Sequence, residues 1–446
     1  MRWFVFAAGL LAAVPLRAEP VLLISIDGLR PGDMIEAEQR GLKIPNLRRF
    51  MTQGAYATGV TGVLPTVTYP SHTTLITGAS PARHGVVSNT TFDPKQINAG
   101  GWYWYASDIK VPTLWSATAA AGKTVGNVHW PVSVSARGVT WNLPQYWRTG
   151  HADDAKLVIA LSTPNLVAEL EKATGETYAQ GIDESVESDE NRGRFAAKLI
   201  ETHKPYFITA YLTALDHEQH AQGPGTAPAH AVLERIDTIV GKLVAAELAA
   251  YPNAAIAVVS DHGFETISRE TNFFRSFIDA GLITLDDKGA VTAWQAMPWP
   301  SGGTVAIVLA RKDDVALEAR VSKLLADMKA DPANAIAAIA GKTEIARMGG
   351  NPEAAFFVNM QPDAAAAGAF GGANAPLRGT PKYKGTHGYF PQIPNLRSTF
   401  LIMGKGIAVN KSLGEIDMRA IAPTLASIIG VKLERAELGP IDLSAK

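Results

Sequence analysis

Val21-Leu22-Leu23-Ile24-Ser25-Ile26-Asp27-Gly28 decides how this 446-residue chain is read. A short, almost unbroken apolar run that stops at an acid and a glycine reads as a strand buried on both faces, ending in a turn. Comparable runs follow at Val125 to Val128, Tyr206 to Leu212, Ala254 to Ser260 and Thr399 to Met403, and all five are taken as parallel strands. Helical patterns separate them. Between His230 and Tyr251, the residues Leu233, Ile236, Ile239, Val240, Leu243, Val244 and Leu248 recur at helical spacing and feed the strand at Ala254. Strand alternating with helix predicts an α/β fold, with a mostly parallel central sheet and helices on both faces.

Working outward, Asp27, Asp216 and Asp261 all fall at or just past the ends of such strands, where open α/β sheets hold their ligands. Asp261-His262-Gly263 places an acid and an imidazole side by side before a glycine that lets the backbone fold tightly. Asp216 and His220 share a face if helical, and Gly223-Pro224-Gly225 ends their segment; His217 and Glu218 have the wrong spacing and are read as outer or solvent-facing. His387 stands alone in Gly385-Thr386-His387-Gly388-Tyr389. Carboxylate oxygens mixed with imidazole nitrogens suit zinc, and these six residues are enough for two ions. Each motif alone has an ordinary structural reading as a turn or a satisfied histidine, and it is their combination that outweighs it.

A hydroxyl beside two metals suggests phosphoryl transfer. Pro65-Thr66-Val67-Thr68-Tyr69-Pro70-Ser71-His72 offers one ahead of a helix expected over Ser71 to Gly78. Thr68 is the preferred nucleophile; Thr66 has the same chemistry, and either can instead be a plain helix cap. No Ser-His-Asp relay is visible.

Composition bounds the partners. Hydrophobic residues make up 47% of the chain and the formal net charge is -1, so it can bury a large core and gives no electrostatic case for a nucleic-acid duplex. Cysteine is absent, which excludes disulfides and thiolate metal sites. Residues 1 to 18 read as a cleavable secretory signal, with a basic end, a short apolar stretch from Phe4 to Leu16 and a cut near Ala18. A periplasmic or secreted protein without stable membrane insertion is expected, because no later run reaches the roughly 18 apolar residues of a span. Residues from about 265 to 385 are richer in Ala, Gly and Pro and are read as an inserted cap, with Gly368 to Pro376 as a loop over the site. Residues 19 to 446 otherwise form one catalytic domain.

The Ile26-Asp27-Gly28 strand end, Thr68-Tyr69-Pro70-Ser71-His72, Thr77-Gly78, His84-Gly85, Asn89, Asp216 to His220 with Gly223-Pro224, Asp261-His262-Gly263 and His387-Gly388-Tyr389 occur in this order. In that they resemble the nucleotide pyrophosphatase/phosphodiesterase family of the alkaline phosphatase superfamily, over nearly the whole mature chain. The resemblance implies an alkaline phosphatase-like fold. It implies two zinc ions, one held by Asp216, His220 and His387 and the other by Asp27, Thr68, Asp261 and His262. It implies that Asn89 donates its amide to a phosphate oxygen, and that Tyr69 and Tyr211 line the pocket for the leaving group. Trp147 is a further candidate from composition alone. Ser71 stands where the family usually has Asn, and the cysteine-rich accessory domains of its vertebrate members are absent, as in a stand-alone bacterial catalytic domain.

The implied reaction is zinc-dependent hydrolysis of a phosphodiester or pyrophosphate bond of a nucleotide or nucleotide derivative, through a phosphothreonine intermediate, releasing a phosphomonoester. A phosphomonoesterase stays open, with Lys110, Lys123 and Arg148 as its candidate clamps. A phosphodiesterase acting on a lipid head group, a phosphonate hydrolase and a phosphoethanolamine transferase stay open as well, as does a periplasmic zinc- or phosphate-binding protein. A sulfatase is disfavoured, because Ala79-Ser80-Pro81-Ala82-Arg83 has nothing to oxidise at its first position. The partner is a small phosphate ester, with a nucleotide as the first choice. The sequence assigns no oligomeric state.

Overall fold

Every residue of Val21–Ile26 is buried, and its side chains divide between two cores in alternation. Leu22, Ile24 and Ile26 pack among residues of the helices Pro45–Gln53, Val186–His203 and Ala227–Ala250. Val21 and Leu23 face the helices Thr68–Thr77, Leu114–Ala120 and Ile421–Ile429. The period-two strand geometry thus puts apolar surface on both faces, and helices cover each. This computed structural model describes residues 18–98, 101–146, 153–367 and 375–445. The signal expected at residues 1 to 18 lies outside them except for Ala18, as do Trp147, Arg148 and most of the Gly368 to Pro376 loop.

Among the described residues, eight strands form the central sheet, in the order Lys411–Ser412, Ala55–Tyr56, Phe400–Met403, Ala255–Val259, Val21–Ile26, Phe207–Leu212, Val125–Val128 and Trp141–Leu143. Val21 pairs with Phe207 on one side and Ala255 on the other, both in parallel register. One expectation is corrected: Phe400–Met403 runs antiparallel to Ala255–Val259, with Phe400 opposite Val259. The chain enters this strand from the His387 side, where the parallel strands end, so it must run back; an apolar run reads the same in either direction. The long helix begins earlier than its apolar spacing predicted, at Ala227, with Pro228 in its first turn.

A second, antiparallel sheet orders Ala296–Ser301, Thr304–Leu309, Ala354–Met360 and Ile336–Gly341. It has its own core, with Phe273, Phe277, Val305, Ile307, Val321 and Leu325 among its members. Its first hairpin turns through Gly302 and Gly303 directly onto the His387 segment: the Gly303 N–H donates to the His387 carbonyl at 2.8 Å.

Candidate functional site

The helix expected from Ser71 starts at Thr68, so the hydroxyl candidate sits in its first turn and not ahead of it. Val67 precedes it in extended backbone and offers no side-chain cap. The first N–H groups of a helix lack intrahelical partners and carry the positive end of its dipole, which favours an anion there. One is taken by Asn89, whose Oδ1 accepts from the Tyr69 N–H at 2.9 Å. That bond leaves the Asn89 amide nitrogen for the cavity that Asn89 lines.

The two threonines are separated by their surroundings. Thr66 is fully buried and its hydroxyl donates to the Tyr389 carbonyl at 2.9 Å. Thr68 lines a cavity of about 200 Å³ with Asp27, Tyr69, Asn89, Tyr211, Asp216, His220 and His387.

Two Asp/His clusters meet this cavity, one through all three of its residues and the other through Asp27. Asp216, His220 and His387 form one, Asp27, Asp261 and His262 the other, with ligand-type atoms within 4.8 Å of one another in each. Asp216 and His220 lie four apart on the helix Ala214–Gln222, with Oδ2 and Nε2 3.4 Å apart. His387 Nε2 is 3.5 Å from Asp216 Oδ1, and His262 Nε2 is 3.3 Å from Asp27 Oδ1 and 3.0 Å from Asp261 Oδ2. The rings of His262 and His387 stack at 3.6 Å, joining the clusters.

The histidines share one tautomer. Nδ1 of His220 faces the Gly385 carbonyl at 2.9 Å, that of His387 the Thr66 carbonyl at 3.2 Å, and that of His262 the Gly263 carbonyl at 3.2 Å. A carbonyl can only accept, so each Nδ1 carries the proton and each Nε2 presents a lone pair to the cluster. Burial also keeps two of these rings neutral, lowering His220 to about 4 and His387 well below its ordinary value.

The carboxylates are in electrostatic conflict. Burial, and then the Asp216 and Asp261 charges, push Asp27 well above the usual carboxylate range. Asp216 is raised by burial and by Asp261. Asp27 Oδ1, Asp216 Oδ1, Asp261 Oδ2 and His262 Nε2 are buried with no hydrogen-bond partner. Four unpartnered lone-pair atoms converging on one space fit cations of zinc chemistry. Tyr211 donates its hydroxyl to Asp27 Oδ2, leaving Oδ1 as the free oxygen.

Backbone close approach fixes the geometry at two glycines. A Cβ on Gly263 would lie 2.0 Å from the Asn395 carbonyl, so the turn after His262 admits no side chain. A Cβ on Gly302, at φ +66°, would lie 2.2 Å from the His387 carbonyl.

Sequence reading missed several lining residues. Trp102, Gln145, Glu184 and Tyr383 border the cavity, and so does His217, which was set aside by spacing. Gln145 Oε1 accepts from the Tyr69 hydroxyl at 2.7 Å, and Trp102 meets the Tyr69 ring edge-on at 5.2 Å. His217 Nδ1 is 3.3 Å from Glu184 Oε2. The aromatic run Trp102-Tyr103-Trp104-Tyr105 was the one available signal; nothing along the chain singles out Gln145 or Glu184. Among the described residues no Lys or Arg lines this cavity. Lys110 packs against Gly85, and Lys123 donates to the Ile429 carbonyl and lies over the Tyr206 ring.

A family model described as type I phosphodiesterase / nucleotide pyrophosphatase matches residues 21–389. Ectonucleotide pyrophosphatase/phosphodiesterase family member 1 of Homo sapiens is 24% identical over 258 residues, 55% of this chain and 24% of that protein. Bis(5'-adenosyl)-triphosphatase ENPP4 of Homo sapiens is 24% identical over 278 residues, 61% of this chain and 54% of its own length. The chain thus spans about a quarter of the first of these relatives and about half of the second. Human ectonucleotide pyrophosphatase/phosphodiesterase 5 superposes with a TM-score of 0.66 at 19% identity, over 93% of this chain and 96% of that one. An inactive form of the murine counterpart, in complex with AMP, gives 0.65 at 18% over the same shares. These structures share the fold.

Proposed function

The chain belongs to the type I phosphodiesterase / nucleotide pyrophosphatase family, and from that premise we propose that it hydrolyses phosphodiester or pyrophosphate bonds of nucleotides or their derivatives, with Thr68 as nucleophile. The observation that carries this reading is that Asp216, His220 and His387, Asp27 of the second cluster, Thr68 and Asn89 line one cavity, with His262 3.3 Å from Asp27. The relatives' names, and AMP in the murine structure, support a nucleotide.

Two zinc ions would be held, one by Asp216, His220 and His387 and the other by Asp27, Asp261 and His262 with Thr68, and when bound would acidify the threonine hydroxyl, activate water and offset phosphate charge. Thr68 Oγ1 then attacks phosphorus in line, the bond to the leaving group breaks, and a phosphothreonine forms. Asn89 donates its amide to a non-bridging oxygen, and the helix N-terminus at Thr68 adds its partial positive charge. Tyr69, held by Gln145, and Tyr211 border the space for the leaving group. Water displaces Thr68 and releases a phosphomonoester. The absence of a lysine or arginine clamp among the described lining residues favours a singly charged diester over a doubly charged monoester.

We regard the second sheet, within residues 265 to 385, as a cap that completes the His387 side. Residues 1 to 18 are its export signal, and N-terminal sequencing of the exported protein should read from Glu19. Among the described residues no helix is long and apolar enough to cross a membrane.

Initial rates of the zinc-loaded protein on bis-p-nitrophenyl phosphate, p-nitrophenyl thymidine monophosphate and p-nitrophenyl phosphate test the reading. A preference for the nucleotide diester supports it. A preference for the monoester would make the protein a phosphatase, and inactivity on all three would reopen the binding-protein reading.

A further inference from the structure

The helix Ala214–Gln222 carries Asp216 and His220 but cannot place them unaided: it is nine residues long, and its N-cap, Thr213, makes no side-chain cap bond. Its start is held from outside. Asp189, on the neighbouring helix Val186–His203, accepts from the Thr213 N–H through Oδ1 and from the Ala214 N–H through Oδ2, both at 2.9 Å. A carboxylate there satisfies two donors the helix leaves open and complements its dipole.

One turn further along the same neighbour, Arg192 locks this carboxylate. Its guanidinium pairs with Asp189 Oδ1 through Nε at 3.2 Å and through Nη2, and Nη2 also donates to the Thr213 hydroxyl at 2.7 Å. Nη1 donates to the carbonyls of Gly181 at 2.6 Å and Asp183 at 2.7 Å, fixing the turn that carries Glu184 to the cavity rim. Asp189 is 0% and Arg192 1% exposed. A buried ion pair is a weak device for stability, since its desolvation offsets much of its attraction, and is better suited to fixing one arrangement. This one ties three segments together at the point where a tilt of the short helix would move Asp216.

We propose that Asp189 and Arg192 are positioning residues that set the cation affinity of the Asp216, His220 and His387 cluster. The inference rests on the two-cation reading above. Neither residue touches the cavity, and the spacing of the chain gives no hint of the role.

Zinc titration of the metal-free protein against a chromophoric chelator tests it. Wild type should bind two equivalents, and His220→Ala identifies which of them belongs to this cluster. Asp189→Asn should weaken that equivalent by about 10- to 100-fold, the usual range for residues supporting a ligand, and leave the other within about threefold. Thr213→Ala, which removes only the hydroxyl that Arg192 binds, should weaken the same equivalent by less, and decides the matter if Asp189→Asn does not fold. Both equivalents unchanged, or both weakened alike, would overturn the proposal. A wild type that binds no zinc would instead overturn the function on which it rests.

Discussion

Three carboxylates that face one another in a buried space repel unless a proton or a cation stands between them. Asp27 and Asp216 both resist ionisation, for reasons of burial first and neighbouring carboxylate charge second. The imidazoles are arranged the other way, with every Nδ1 proton given to a backbone carbonyl. Tyr211 is the residue that selects which Asp27 oxygen stays free. Tyr211→Phe should therefore leave the fold intact and reduce zinc affinity at the Asp27 cluster by about tenfold or more. Calorimetric zinc titration would read this, and unchanged affinity in the variant would refute it. At this scale the grouping of the six Asp and His residues was legible, because each combines a ligand-type side chain with a strand end or a nearby glycine. Gln145 and Glu184 were not, since they reach the cavity from segments with no such signature.

Elements position these residues, and two of them make separable predictions. The hairpin at Gly302 presses on the His387 carbonyl, so Gly302→Ala meets both an unfavourable φ and a collision. Gly289, at φ +82° with open space around its missing Cβ, provides the control that shares only the backbone strain. Gly302→Ala should lower kcat/KM by about tenfold or more while Gly289→Ala stays near wild type; equal effects would remove the hairpin from the account. The helix Ala227–Ala250 hides a different cost. Glu247 is fully buried, neither carboxylate oxygen has a partner, and burial raises it to about 8. Its folded value lies above the ordinary 4.5, so the folded state holds a proton that the unfolded chain has released. The associated stability is complete below about pH 4.5 and is lost as the pH rises through about 8. Urea midpoints measured from pH 5 to 9 should fall more steeply for wild type than for Glu247→Gln, and parallel curves would contradict this. The period of Leu233 to Leu248 announced this helix, whereas nothing in the pattern distinguishes an acid that faces the core from one that faces water.

At the scale of the molecule, the fold was legible because buried parallel strands leave continuous apolar runs, and four of the five expected ones pair in parallel. The direction of Phe400–Met403 was not, because direction is set by where the chain comes from and not by composition. The order of the second sheet was hidden for a related reason: long-range pairing of Thr304–Leu309 with Ala354–Met360 leaves no local mark. What the sheet accomplishes is to bring strand ends from residue 27 to residue 261, a helix start at Thr68 and a return segment at His387 to one point. The account stands on that point being a metal-dependent phosphodiesterase centre. The most direct test is the rate of p-nitrophenyl thymidine monophosphate cleavage by wild type, Thr68→Ser and Thr68→Ala, each stripped with chelator and then reloaded with zinc. The account predicts that stripped wild type is inactive and recovers with zinc, that Thr68→Ser keeps part of that rate, and that reloaded Thr68→Ala is slower by on the order of a thousandfold or more while still binding zinc. Reloaded Thr68→Ala turning over within about tenfold of wild type, or stripped wild type keeping its rate, would contradict it.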